Sequence, residues 1–147
     1  MGFTLTTTAF KNNQLIPIDY TCQGKDNTPL LHWSDPPKGT QSFTIIMDDP
    51  DSSALWVHWV VFNIPANINQ WPSENIDKAI DGNNSWGKPG YGGPCPPVGK
   101  EHHYVFVLYA LDAFLNLSKG STAAQVREAL KDHVLEQTQI IGLYRRS

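Results

Sequence analysis

Histidine, tyrosine and aspartate side chains stand where apolar segments of this sequence begin or end. Asp49 ends the segment "SFTIIMDD", and His58 lies near the start of "LWVHWVVFNIP". His102 and Tyr104 belong to "HHYVFVLYALD". Side chains two residues apart in a strand share a face, so His102 and Tyr104 point one way and His103 the other. Because imidazole and phenol groups donate hydrogen bonds and a carboxylate can orient a histidine, these residues predict a binding pocket if the three strands are neighbours.

The segment "GYGGPCPPVGKE", just before this histidine pair, is rich in glycine and proline. Gly92 and Gly93 carry no Cβ, so their backbone amides can approach an anion closely and form a concave nest. Pro96 and Pro97 stiffen the chain, which lowers the entropy lost on binding. We therefore expect a preformed, ligand-binding pocket wall that includes Gly93, Pro96 and Pro97.

Each of these residues also has a structural interpretation, and the sequence leaves both open. A histidine such as His58, within an apolar strand, is often a core residue whose ring bonds a backbone carbonyl. Asp49 and Asp51 flank Pro50 and suit the caps of a turn. Tyr104 suits a core aromatic residue with its hydroxyl at the rim. Four tryptophans are expected to anchor the core and the loops: Trp56, Trp59, Trp71 and Trp86.

The composition is that of a globular domain with many strands and turns. The chain has 147 residues, 40% of them hydrophobic, with 11 Gly and 11 Pro, which favours one mainly β domain over residues 1–147. Its net charge of −3 provides no driving force for binding nucleic acid. No apolar stretch reaches the ~20 residues that span a bilayer, so we expect no stable membrane insertion. The N-terminal segment lacks a basic region and a long apolar run, which indicates a cytoplasmic protein.

Two cysteines, Cys22 and Cys95, lie in separate loops beside glycine or proline. Reduced thiols are the default expectation for a cytoplasmic protein. The similar surroundings of the two residues leave a disulfide between them open. Without a CxxC spacing they make a weak case for zinc, and we expect a structural role.

Strand signals are short and separated by turn residues, as in an all-β domain. The predicted strands span 3–10, 30–33, 42–50, 55–65 and 102–112, with a closing strand at 138–146. The runs at 55–65 and 102–112 are apolar on both faces, which predicts central strands. Residues 71–97 carry no regular pattern, and irregular segments of this length are often functional.

One helix is predicted near the C-terminus, in the segment "STAAQVREALKDHVLEQ". Thr122 and Gln125 suit a capping box at its start. Val126, Leu130 and Val134 recur at helical spacing, so the helix is expected to continue through Val134.

Three longer motifs follow one another along the chain. They are "DPD" at 49–51, "HWVVFNIP" at 58–65 and "GYGGPCPPVGKEHHYVFVLYALD" at 90–112. Together they resemble the phosphatidylethanolamine-binding protein family, in particular its bacterial, Raf-kinase-inhibitor-like branch, over nearly the whole chain. The resemblance implies a β-sandwich with a large central sheet, one C-terminal helix and an anion-binding pocket at one end.

The resemblance also implies the function and the residues of the pocket. It implies a protein that binds a small anion, such as phosphate or a phosphoethanolamine-like head group, without a cofactor or a bound metal. Many relatives continue the "DPD" motif with a small residue and proline, whereas Ser52 and Ser53 stand here, so the shape of this wall is left open. The implied pocket residues are Asp49, Trp56, His58, Pro96, Pro97, His102 and Tyr104.

One expectation about binding and two alternative functions accompany this assignment. The ligand is expected to bind best when His58 or His102 is protonated, with Asp49 hydrogen-bonded to His58. One alternative is a regulatory module that inhibits a kinase or another protein partner, as some eukaryotic members of the family do, and a homodimer is also compatible. A less favoured alternative is an enzyme that uses Asp49, His58 and His102 as acid–base groups or metal ligands, although no Gly-x-Ser-x-Gly or HExxH motif is present.

Overall fold

The computed structural model describes residues 2–147. The strands in chain order are β1 (Thr4–Thr7), β2 (Gln14–Leu15), β3 (Leu31–Ser34), β4 (Ser42–Asp49), β5 (Trp56–Pro65), β6 (Gln70–Trp71), β7 (Ile80–Asp81), β8 (Glu101–Leu111) and β9 (Val134–Arg145). A short 3-10 helix spans Ile18–Tyr20, and the α-helix α1 spans Ala123–Leu130. The assignment of residues 1–147 to one domain stays a prediction, and Met1 lies outside the described residues.

The strands form two sheets whose apolar faces share a core. One sheet has the order β1–β3–β6, and the larger sheet has the order β2–β9–β8–β4–β5–β7. The predicted mainly β sandwich with a large central sheet is therefore confirmed, and the two strands predicted to be central, β5 and β8, are interior strands. Residues of both sheets meet in this core: Leu5, Leu31, Trp33, Phe43, Ile45, Trp59, Phe106 and Leu108.

Helix α1 packs on the other face of the larger sheet. It begins with the predicted capping box, in which the Thr122 hydroxyl accepts a hydrogen bond from the Gln125 amide and the Gln125 side chain accepts one from the Thr122 amide. Burial of one apolar helix face then holds α1 on the sheet. The residues in this second core include Ile46, Val60, Phe62, Val126 and Leu130.

The helix is shorter than the sequence pattern predicts. It ends at Leu130, and Val134 is the first residue of β9, where it pairs with Leu111. Strand β9 is 12 residues long and pairs with β8 along its length, so the ladder satisfies more backbone groups than another helical turn would. Between residues 2 and 147, no helix is long and apolar enough to cross a bilayer.

The ends of three neighbouring strands meet at one edge of the larger sheet. Strand β4 lies between β5 and β8 and is antiparallel to both, so its last residues are adjacent to their first residues. Asp49 pairs with Trp56 of β5, and Asp48 pairs with Val105 of β8. The strands that carry the predicted site residues are therefore neighbours, as the sequence argument required.

Candidate functional site

A pocket of about 590 Å³ opens at this edge of the larger sheet. Its walls come from the end of β4, the starts of β5 and β8, and the loops on either side. All the residues that the sequence predicted for the site line it: Asp49, Trp56, His58, Gly93, Pro96, Pro97, His102 and Tyr104. The structure thus brings the predicted set together, and its role in ligand binding stays a prediction.

Asp49 and His102 form a buried pair at the base of the pocket. The His102 Nδ1 lies 2.6 Å from Asp49 Oδ2, and only 7% of His102 and 4% of Asp49 are exposed. The other carboxylate oxygen, Oδ1, accepts a hydrogen bond of 2.9 Å from the backbone amide of Asp51. Because a carboxylate only accepts, His102 donates from Nδ1, and its Nε2 is the ring nitrogen left for a ligand. Both oxygens of Asp49 are therefore occupied within the protein.

His58 has a backbone partner instead of the expected carboxylate. Its Nδ1 lies 2.7 Å from the carbonyl oxygen of Gly92, so Nδ1 carries the hydrogen and donates it. Burial lowers the pKa of His58 and outweighs the opposing hydrogen bond to Gly92. The expectation that Asp49 hydrogen-bonds His58 is wrong, since Asp49 bonds His102. The nearby charge of Asp49 does favour the charged form of His58, but burial outweighs it and lowers the pKa. At neutral pH the Nε2 of His58 is therefore a hydrogen-bond acceptor.

Tyr104 presents a hydroxyl group without a partner. The residue is fully buried, it lines the pocket, and no described residue bonds its hydroxyl oxygen. Burial, and then the nearby charge of Asp49, raises the pKa of Tyr104, so the hydroxyl keeps its proton. A buried polar group without a hydrogen bond is costly, which makes this hydroxyl a natural donor to a ligand.

The two glycines of the loop do not form the expected anion nest. The Gly92 amide donates to the carbonyl oxygen of His58, and the Gly93 amide donates to Asp26 Oδ1, at 2.9 Å in both cases. A Cβ at Gly92 would overlap the ring of Trp86, and one at Gly93 would overlap Asp26 and the Tyr20 carbonyl. The glycines are therefore needed for packing within the protein, and the proposed nest at these amides is wrong.

The loop between β7 and β8 supplies a wall that the sequence argument missed. Asn84 organises it: its Oδ1 accepts from the amides of Trp86 and Lys88, and its Nδ2 donates to Gly90 O. Trp86, expected to be an anchor, lines the pocket with 44% of its surface exposed, and Lys88 lines it as well. The one sequence signal was the irregular stretch 71–97, which contains all of them but does not single them out.

A disulfide between Cys22 and Cys95 closes the outer wall of the pocket. The default expectation of reduced thiols is therefore wrong for this structure, and the alternative left open is the one observed. The Cys22 amide also donates to the Pro94 carbonyl at 3.1 Å, and the Tyr91 hydroxyl donates to the Tyr20 carbonyl at 2.7 Å. Segment 20–26 is thus held against the glycine–proline loop at several points.

Ser52, which follows the "DPD" motif, organises the turn after β4. Its hydroxyl donates to the Ala54 carbonyl and lies 3.0 Å from the Asp49 carbonyl, and it accepts a hydrogen bond of 3.1 Å from the Trp56 amide. Ser52 therefore closes the connection between β4 and β5 and also lines the pocket.

The polar groups of the lining are of different kinds. They include Nε2 of His102, the hydroxyl of Tyr104, the acceptor Nε2 of His58 and the side chains of Lys88 and Asp26. Within residues 2–147, no group of three or more His, Cys, Asp or Glu side chains is arranged to hold a metal ion. Asp49, His58 and His102 lie in two separate hydrogen-bonded arrangements, so they do not assemble into the metal-binding set that the sequence allowed.

Sequence comparisons relate this chain to known proteins over almost its full length. It matches the family described as phosphatidylethanolamine-binding protein over residues 6–145. A UPF0098 protein of Methanothermobacter thermautotrophicus is 44% identical over 150 residues, which covers 97% of this chain and 98% of that protein. A UPF0098 protein of Chlamydia pneumoniae is 40% identical and covers 97% of this chain and 99% of that protein.

Solved structures agree with the sequence relatives. The crystal structure of CT736 from Chlamydia trachomatis, described as a homologue of phosphatidylethanolamine-binding protein, has a TM-score of 0.91 and 34% identity and covers 99% of both chains. The structure of YbcL from E. coli, described as a member of the mammalian family of these proteins, has a TM-score of 0.94 and 30% identity over 100% of both chains.

Proposed function

The chain belongs to the phosphatidylethanolamine-binding protein family, and we propose that its pocket binds small phosphate-bearing ligands such as phosphate or phosphoethanolamine. One observation supports this most strongly: Tyr104, whose buried hydroxyl has no partner among the described residues, lines the same pocket as the buried Asp49–His102 pair. A phosphate oxygen in the pocket would accept from Tyr104, and from Nε2 of His102 when that ring is charged.

The negative charge of Asp49 is partly offset by hydrogen bonds within the protein. Each of its oxygens accepts a hydrogen bond from the protein, and its partner His102 lines the pocket. Lys88 contributes a basic residue to the lining, and Asp26 an acidic one. The neutral Nε2 of His58 can accept a hydrogen bond from a phosphate monoester only when the ligand is singly protonated, below its second pKa of about 6.

The alternative functions carry less support from the site. Inhibition of a kinase or another protein remains a separate proposal, to be tested by a pull-down with and without saturating phosphate. The cytoplasmic location also stays a prediction, and the Cys22–Cys95 disulfide argues against it because disulfides are rare in reducing compartments. Alkylation of free thiols in intact cells, followed by mass spectrometry, would measure the redox state of the two cysteines.

The sharpest test removes one oxygen atom. In Tyr104→Phe the buried, unpartnered hydroxyl is lost, so the free energy of unfolding without ligand is expected to stay the same or to rise. The affinity for phosphoethanolamine is expected to fall at least about tenfold, because a hydrogen bond to a charged group is lost. Calorimetric titration and thermal unfolding with and without millimolar ligand would measure both quantities.

Thr44→Val is the matched control. Thr44 is fully buried, and its hydroxyl also has no partner among the described residues, but it lies outside the pocket lining. Its loss should leave the affinity unchanged. Equal affinities of Tyr104→Phe and the wild type would contradict a role for this hydroxyl in binding, and no binding of phosphate or phosphoethanolamine to the wild type would contradict the proposed function itself.

A further inference from the structure

The mouth of the pocket carries more aromatic surface than a bare phosphate requires. Resting on the function proposed above, we propose that Trp56 and Trp86 form a second subsite, which holds an aromatic or apolar group esterified to the phosphate. The ligand would then be a phosphate monoester whose organic group packs against these two rings.

A chain of aromatic contacts leads from the anion-binding groups to solvent. The ring centroids of Tyr104 and His58 are 5.2 Å apart, those of His58 and Trp86 5.1 Å, and those of Trp86 and Trp56 5.4 Å. The interplanar angles of these three contacts are 85°, 80° and 84°. In edge-to-face contacts of this kind the edge of one ring meets the face of the next. The wall is thus continuous from the unpartnered hydroxyl to the half-buried Trp56 and the exposed Trp86.

Trp86 is held in an exposed position by the surrounding backbone. The side chain of Asn84 fixes the loop by bonding the amides of Trp86 and Lys88. Gly92 provides the space for the Trp86 ring, because a Cβ there would overlap it. Even so, 44% of Trp86 is exposed, and large exposed aromatic side chains beside a pocket commonly mark a binding surface.

The size of the pocket favours a ligand with an organic group over a bare phosphate. The volume of about 590 Å³ lies within the range of roughly 300–1,000 Å³ typical of sites for whole organic molecules.

The test compares phenyl phosphate, phosphoethanolamine and inorganic phosphate by calorimetric titration at pH 7. We expect the wild type to bind phenyl phosphate about tenfold more tightly than inorganic phosphate. Trp86→Ala should lose this difference and bind phenyl phosphate and inorganic phosphate with similar affinity. Leu55→Ala is the control, because Leu55 is an apolar residue beside Trp56 that is 52% exposed and lies outside the pocket lining. It should behave as the wild type does.

The outcomes separate this proposal from the one on which it rests. If inorganic phosphate binds and phenyl phosphate binds no more tightly, the aromatic subsite is contradicted and the phosphate pocket stands. The same holds if phosphoethanolamine is the tightest ligand and Trp86→Ala weakens it most, since the subsite would then favour a cation. If none of the three ligands binds, both proposals are wrong.

Discussion

Two histidine–aspartate pairs stand side by side at the start of β8, one on each face of the strand. The His102 Nδ1 lies 2.6 Å from Asp49 Oδ2, and the His103 Nδ1 lies 2.7 Å from Asp51 Oδ2. The side chains of the first pair are 9% and 5% exposed, whereas those of the second are 55% and 39% exposed. The chemistry and the distances are alike, so burial is what distinguishes the pairs.

The difference shows how one strand can serve two purposes. In water the attraction between charges is weak and screened, so a surface pair contributes little. In a buried pair each group is needed to satisfy the other, and the removal of one leaves an uncompensated polar group. The alternation of β8 therefore gives the pocket a fixed polar base through His102 and leaves His103 free to vary.

The largest expected effect breaks the buried pair. His102→Ala leaves the Asp49 carboxylate buried with only the Asp51 amide as a partner, and we expect the free energy of unfolding to fall by about 3–5 kcal/mol. His103→Ala, the matched change on the other face, should cost only about 0.2–1 kcal/mol. Urea unfolding of both variants at pH 7 measures the difference.

A second variant tests the physical reason for that loss. In the double variant His102→Ala/Asp49→Asn the buried charge is gone, so a substantial part of the stability should return relative to His102→Ala alone. If the two single histidine variants lost equal stability, burial would not be what separates the two pairs.

The expected effect of intermediate size concerns His58. This third histidine is buried like His102 but has no carboxylate partner. The pKa of His58 is lowered from its ordinary value of 6.5 by burial, so near and below pH 6.5 the unfolded chain binds more protons than the folded protein. The stability that its neutral form contributes is present above pH 6.5 and is lost as the pH falls through the lowered folded pKa.

Unfolding measured between pH 7.5 and 5 should therefore show a steeper loss of stability in the wild type than in His58→Gln. The extra slope is at most about 1.4 kcal/mol per pH unit for one such group. Glutamine can donate to Gly92 O and does not titrate, which makes it a suitable control. Parallel pH profiles would show that His58 titrates alike in both states.

The smallest expected effect concerns the exposed pair. The pKa of Asp51 is lowered below its ordinary value of 3.8, first by the hydrogen bond from the His103 backbone amide and then by the one from the ring. His103→Ala removes only the ring, so the Asp51 pKa should rise but stay below 3.8. A carboxyl titration followed by NMR measures it. A return to the ordinary value would mean that the side chain, not the backbone, dominates.

The features that could be predicted from the sequence depended on the two-residue alternation of side chains in strands and on a specific family pattern. The two-residue alternation placed His102 and Tyr104 on one face of β8, and the structure buries both. The family resemblance gathered residues that are far apart in the chain, and all of them line one pocket. The alternation is a property of the strand segment itself, and the family pattern is shared with related proteins.

What the sequence could not predict depended on contacts between distant segments. The partner of Asp49 follows from the register of β4 against β8, and no local pattern distinguishes His102 from His58 as that partner. The amides of Gly92 and Gly93 appeared available because their acceptors, His58 O and Asp26, come from other parts of the chain. In the same way, the segment after Leu130 forms strand β9 instead of a longer helix because it pairs with β8.

The Cys22–Cys95 disulfide has a consequence that lies mainly outside the folded state. The two residues are 73 positions apart, and in a chain-entropy description the closure of so long a loop destabilises the unfolded chain by about 4 kcal/mol. In the folded protein, the hydrogen bonds from Tyr91 to Tyr20 and from Gly93 to Asp26 hold the same wall without the disulfide. The bond therefore affects how many molecules are unfolded at any moment more than it affects the shape of the pocket in those that are folded.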